Sequence, residues 1–317
     1  MNRLIAAAAA LALLGACGDG NTFTNDPTEG GVGGGGGDTA GIPENISDDL
    51  DAFTYNPATD TLTITGVFLD DEASTVTYAR TPSLDVPGYV AYSVQEAPLD
   101  QHVTAYAQSI SSVTGAMAVS GGQFTFYNGG VGYTRSGGFD PQDVTPDTGL
   151  VTYAGDYIGI TNIGSVDGTE LAPVPPGTSD SIRPRQASTV TGSIFINADF
   201  IDNTVKGTVY DRVFRPSNGA AAVPLGPDGD LNLVPTEITA DGTFAGDVQV
   251  APSGDRQTVG EYGFIFGGTN SDAVACGLYV EEHMGPGFGD EEEYGLFVLG
   301  RCGTPVGTSP LCPTVGE

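Results

Sequence analysis

The sequence predicts an all-β protein in two blocks, an N-terminal β domain followed by an eight-stranded antiparallel up-and-down barrel. Three observations predict it. Beyond residue 43, apolar residues recur at period two, the repeat of a strand with one buried face. Gly, Pro, Asn and Asp break that pattern at the short, regular spacing of turns in sandwiches and barrels. No segment carries the 3.6-residue repeat of an amphipathic helix.

The elements follow in order from the first residue. Arg3 precedes an apolar run over residues 4–14, and Leu14-Gly15-Ala16-Cys17 closes it. A charged start, a short apolar stretch and small residues before a cut site describe a secretory signal over residues 1–16. As a helix the run would rise only about 16 Å, too little to cross a hydrocarbon core about 30 Å thick. Its last four residues resemble the lipobox of bacterial lipoproteins. The resemblance implies cleavage before Cys17, a lipid on that cysteine and anchorage in a membrane, and Gly18 after it points to the outer membrane. Residues 17–43 are rich in Gly, Asp, Asn and Thr, with five consecutive glycines at 33–37. Such a chain behaves as a flexible coil, so this segment is expected to be a tether reaching roughly 25–30 Å.

In the first block, residues 44–148, strands are expected at 52–55, 61–69, 74–80, 89–94, 103–107, 116–119, 123–127 and 131–133. Residues 141–148, with two prolines and two aspartates, read as a link. The second block, 149–302, holds strand candidates at 150–160, 188–198, 204–214, 231–239, 243–250, 261–267, 273–281 and 294–301, and residues 303–317 form a tail. Asp202-Asn203 and Asp241-Gly242 separate two pairs of these, and Asp-Gly supplies the positive φ values of a type I′ hairpin. Ile194, Ile196, Ala198 and Phe200 share one face, as do Tyr262, Phe264 and Phe266. An even number of hairpin-linked strands closes on itself and removes exposed edges.

The stretch Thr191-Gly192-Ser193-Ile194-Phe195-Ile196-Asn197-Ala198-Asp199-Phe200, followed by Asn203-Thr204-Val205-Lys206-Gly207, resembles the second and third barrel strands of transferrin-binding protein B-like lipoproteins. Residues 238–246 and 260–267 are similar to later strands of that family. The resemblance implies a lipid-tethered lobe, a handle-like β domain followed by a barrel, with loops that meet a partner. After Gly267 the chain departs from the family's usual continuation, so the resemblance carries a fold and no particular ligand.

Composition narrows the partners. Forty Asp+Glu against ten Lys+Arg give a formal net charge of −30, and Lys206 is the only lysine. Phosphate binding needs clustered cations, so nucleic acid is excluded as a partner. Charged residues are only 16% and hydrophobic ones 39%, too apolar for a disordered acidic tail.

Removing Cys17 leaves Cys276, Cys302 and Cys312, an odd number in an oxidising compartment. Cys276 and Cys302 flank Gly289 symmetrically, so one hairpin register would place them opposite each other, and Cys276–Cys302 is the expected disulfide with Cys302–Cys312 as the alternative. No enzyme motif is present: there is no G-x-S-x-G elbow, no H-E-x-x-H and no C-x-x-C. Of the two histidines, His102 and His283, the second sits beside Glu281 and Glu282 and reads as a solvated loop residue. Asp147-Thr148-Gly149 and Asp228-Gly229-Asp230 read as turns, and Asp290-Glu291-Glu292-Glu293 as a solvated charge run.

The sequence therefore leads to a non-catalytic, lipid-anchored binding lipoprotein of the bacterial envelope that needs no cofactor. A structural envelope lipoprotein without a ligand is the alternative. Its partners are a membrane, through the N-terminal lipid, and a solute or protein held by loops at 162–184, 215–230 and 283–293, with Phe288 as a candidate anchor.

Overall fold

A computed structural model describes residues 35–38, 41–68, 73–145, 148–250, 257–285 and 287–312. The signal segment, Cys17 and Asp147 lie outside the described residues.

The first sheet is a meander of β1 (Gly35–Asp38), β2 (Leu50–Asn56), β3 (Thr61–Gly66), β4 (Ser74–Arg80), β5 (Val90–Val94), β6 (Val103–Ile110), β7 (Val113–Ser120) and β8 (Gly129–Arg135). A single helical turn, α1 (Glu44–Ser47), joins β1 to β2. Four residues of the glycine-rich stretch thus pair as a strand, Gly35 with Tyr55 through Asp38 with Ala52, where a coil was expected.

The sheet curls until β8 comes back against β1 and β2. Between β2 and β8 the seal is mostly packing. A Cβ on Gly132 would fall 2.7 Å from the Phe53 ring, and one on Gly130 would meet the Ser47 carbonyl at 2.1 Å, so only glycine lets β8 approach this closely. Asp49 completes the seam, its N–H donating to Gly129 O at 3.0 Å and its carboxylate accepting from Gly129 N–H at 3.1 Å.

The second sheet contains β9 (Leu150–Ser165), β10 (Gln186–Asp199), β11 (Thr204–Arg215), the two-residue β12 (Val223–Pro224), β13 (Leu231–Glu237), β14 (Thr243–Val250), β15 (Thr258–Gly267), β16 (Ala273–Glu281) and β17 (Glu292–Gly300). All pairings are antiparallel. β9 pairs with both β10 and β17, and β10 with β11, so the eight long strands form a closed up-and-down barrel. The expected strands are present, with β9 and β10 longer than their sequence pattern indicated.

The turn at Asp241-Gly242 differs from expectation. Only Gly242 has positive φ, at 76°, and Thr239 N–H donates to Thr243 O at 2.9 Å. This is a longer loop ending in a left-handed glycine rather than a two-residue type I′ turn.

Three apolar clusters hold the two sheets. Inside the barrel lie Ile194, Ile196, Ala198, Tyr262, Phe264 and Phe266, the residues the alternation placed on inward faces. The handle interior is lined by Phe53, Leu62, Ile64, Tyr92 and a run of alanines at 105, 107, 116 and 118. The third cluster lies between the sheets, where Val113, Met117 and Val119 of β7 meet Ala275, Leu296 and Val298 of the barrel's outer face. All eight residues of β7 are buried because its two faces serve two different cores. Each large apolar side chain so buried contributes about 1.5–3 kcal/mol, so the contact joins handle and barrel into one folding unit.

Candidate functional site

The connections β9–β10, β11–β13 and β16–β17 meet at one end of the barrel, the end the sequence nominated for recognition. They do not all face solvent. The β16–β17 connection folds inward, and His283, Glu291 and Glu293 are buried where a surface histidine and a solvated charge run were expected. Their counter-charge is Arg212, which stands on an inward position of β11 between Val209 and Phe214 and is itself 1% exposed.

Arg212 satisfies most of the cluster. Its Nη2 donates to Glu293 Oε2 at 2.6 Å and to His283 Nε2 at 2.9 Å, and its Nη1 donates to Gly229 O at 2.6 Å. A guanidinium can only donate, so His283 Nε2 accepts and the neutral ring carries its proton on Nδ1, facing Glu291 Oε1 at 3.7 Å. Tyr157 donates its hydroxyl to Glu293 Oε1, and Met284 N–H donates to Glu291 Oε1. Burial opposes ionisation of Glu293, but Arg212 outweighs it, assisted by the Tyr157 hydroxyl, and holds the carboxyl down at about 2. Burial, and then the adjacent Arg212 charge, pushes His283 below its ordinary value.

Phe288 joins this inward arrangement. It packs edge-on against Phe214, ring centroids 5.1 Å apart, and is half-buried against the barrel core. The expected anchor therefore covers the barrel's own mouth. Asn162 locks the segment down, donating to Asp290 O and accepting from Glu292 N–H, both at 3.1 Å.

The displayed apolar surface lies next to it, on the handle. Residues 123–127 read as a strand in the sequence, but they form the tip of the β7–β8 hairpin. Gln123 and Phe126 exchange both backbone hydrogen bonds, at 3.0 and 2.8 Å, around Phe124 (φ 52°) and Thr125 (φ 72°). That is a two-residue turn of the kind normally made by Asn-Gly, built here from a bulky and a β-branched residue. Phe124 is 58% exposed and Phe126 59%. The buried Gln123 ties the tip to its neighbours through Nε2, which donates to Leu99 O at 2.7 Å and to Ile182 O at 2.9 Å. Leu99 and Ile182, themselves 38% and 41% exposed, complete a four-residue apolar patch drawn from three segments. Ile182 belongs to the expected loop at 162–184, whereas Phe124 and Phe126 had no sequence signal beyond their apolarity.

The cysteines pair as Cys302–Cys312, Cα atoms 5.3 Å apart, and Cys276 is a buried free thiol. The expected Cys276–Cys302 bond fails on register. Cys276 faces Phe297 across β16–β17, and Cys302 lies beyond the end of β17 in a short loop closing on Cys312. Asp228 and Gly229 sit in a 3-10 turn whose Gly229 carbonyl is the Arg212 acceptor. Among the described residues, no group of His, Cys, Asp and Glu has the arrangement of a metal site.

These features define a handle-plus-barrel lobe with a filled barrel, a latched mouth and an apolar tip. The chain matches several solved structures. Transferrin-binding protein B of Haemophilus parasuis Hp5, in a double-mutant form, matches 80% of this chain and 45% of its own at 12% identity, with a TM-score of 0.37. The isotype 1 protein of serogroup B Neisseria meningitidis matches 80% and 52% at 12% identity, with a TM-score of 0.35. A structure described as a surface lipoprotein matches 61% and 76% at 12% identity, with a TM-score of 0.34. The chain spans about half the length of the transferrin-binding protein B chains it matches. No family profile and no curated protein matches it.

Proposed function

We propose that this chain is a lipid-anchored, non-catalytic binding lipoprotein of the bacterial envelope, which engages a protein partner through the Phe124–Phe126 tip. The observation that carries the reading is the exposed patch on a strained turn. A left-handed conformation costs an L-residue roughly 1–2 kcal/mol, and nothing in the packing of the handle requires Phe at that place. Aromatic side chains held rigidly at a loop tip are the usual anchors of protein recognition.

A protein fits the patch better than the chain's own membrane does. β8 starts beside Asp49 and Leu50 at the beginning of β2, whereas the chain enters the sheet at Gly35, opposite Tyr55 near the far end of β2. The tip therefore points away from the end where a tether from Cys17 would join.

Placing a photo-crosslinking residue at Phe124 or Phe126 in intact cells tests the reading, with the exposed Thr77 of β4 as control. A discrete adduct formed from the tip and not from Thr77 is the expected result. Equal or absent labelling at all three positions would favour the structural role. The anchor is tested separately, since Cys17→Ser should move the protein from the detergent-rich to the aqueous phase.

A further inference from the structure

A second site lies where the handle overhangs β9–β11. Its floor is the outer face of the barrel. Register sets Asp156 of β9 beside Ser193 of β10, and Ser193 beside Tyr210 of β11, so Asp156 and Asp211 flank β10 two strands apart. At about 4.8 Å per strand, their backbones lie roughly 10 Å from each other. The roof is the handle segment containing Leu84 and Asp85, together with Tyr106, whose hydroxyl donates to Leu84 O at 2.9 Å. The space between is a cleft of about 570 Å³, the size of a small-ligand site.

Its charge is unbalanced. Asp85 is neutralised by Arg80, which donates to both carboxylate oxygens at 2.8 and 2.6 Å. Asp156 and Asp211 take part in none of the ion pairs among the described residues. Arg215, the cation of the cleft, is turned to Thr191, its Nε donating to Oγ1 at 3.0 Å. Asp156 is fixed in place by the handle: Tyr89 donates to its backbone carbonyl at 2.9 Å, and a Cβ on Gly88 would lie 3.3 Å from its Oδ2. Its side chain is open to the cleft yet surrounded by protein, and burial pushes its carboxyl above the usual carboxylate range.

One further group points to an occupant. Thr104 lines the cleft and shares the barrel-facing side of β6 with Tyr106. It is 1% exposed, and its hydroxyl has no hydrogen-bond partner. A buried, unmet hydroxyl costs about 1–3 kcal/mol, a cost that a polar ligand reaching the back of the cleft removes.

We propose that the cleft binds a small organic ammonium ligand, with Asp156 and Asp211 meeting the cation and Thr104 a polar group further in. An anion is disfavoured, since two unmatched carboxylates outweigh one arginine already held by Thr191. This site is separate from the Phe124 tip and does not depend on the tip's role.

Calorimetric titration of the full chain in mild detergent with 1,4-diaminobutane tests it, with succinate as the probe of opposite charge. Saturable one-to-one binding of the diamine and none of succinate is expected. Asp156→Asn should weaken it about tenfold, and Thr104→Val about threefold, while Glu237→Gln, an exposed acid on β13, leaves it unchanged. Thr104→Val should also raise the melting temperature of the unliganded protein, which separates a lost ligand contact from a damaged fold. The proposal is overturned if the diamine shows no saturable binding, if succinate binds equally, or if Asp156→Asn and Thr104→Val behave like Glu237→Gln.

Discussion

The β16–β17 connection and the β7–β8 tip lie at the same end of the molecule and reverse each other's sequence character. The first is written in Glu, His and Gly and is folded in, and the second is written in Phe and Thr and is held out. Burial follows available partners rather than residue polarity. Glu293 and His283 go inside because Arg212 is already there to meet them. Phe124 stays outside because a two-residue turn leaves its side chain nothing to pack on. Each region also has its own buried histidine: His283 sits in the ion cluster, while His102, whose carbonyl accepts from Gly121 below the tip, has both ring nitrogens unpartnered.

Breaking the charge cluster should have the largest effect. Arg212→Leu leaves Glu293 buried without its counter-ion, and a loss of about 3–5 kcal/mol is expected in denaturant unfolding. Arg212→Leu combined with Glu293→Leu should recover much of it. A result in which the single and double variants are equally unstable would mean that packing, not charge pairing, holds the lid in.

Acid should separate the two regions next. His102 is held neutral by burial, at about 4, so between the unfolded value near 6.5 and about 4 the native state binds fewer protons than the unfolded chain. Stability should therefore fall with pH across that window by up to about 3 kcal/mol and then level off. His102→Leu should flatten that segment of the curve. Glu293, held at about 2, has the carboxylate sign: its contribution is complete above about 4.5 and disappears as pH falls from there through 2. A single acid transition insensitive to His102→Leu would contradict the separation.

Smaller effects refine the contrast between the aromatics. Phe288→Ala should cost about 1–2 kcal/mol in thermal or chemical unfolding, through its edge contact with Phe214 and the exposure of the barrel mouth. Phe124→Asn with Thr125→Gly should instead stabilise the protein by about 1 kcal/mol, because both residues suit the left-handed turn. The same pair should lose the crosslinks predicted for the tip. Stability falling in that pair would show that the turn is not strained.

The barrel was legible because its signals are local. Ile194, Ile196 and Ala198 recur at period two, and all three are fully buried in the barrel core. The tip was not legible, because Gln123-Phe124-Thr125-Phe126 alternates and favours strand by propensity, with none of the glycine or asparagine that mark a type I′ turn. The latch was hidden by distance, since Arg212 lies 71 and 81 residues from its partners His283 and Glu293. One signal was available: Arg212 occupies a position in β11 where neighbouring inward residues are Val209 and Phe214, and a lone cation there demands an acid from elsewhere. The disulfide was misread because symmetry about Gly289 fixed a register, whereas the hairpin pairs Glu281 with Glu292 and leaves Cys302 past its end.

Cys276 stands inside the cylinder, fully enclosed, its thiol pushed well above the ordinary range by burial. A thiolate is the reactive form, so a reagent in solution meets this sulfur only when neighbouring staves part. The rate of its modification is therefore a natural clock for how often the closed wall opens, kept by the molecule without any added label.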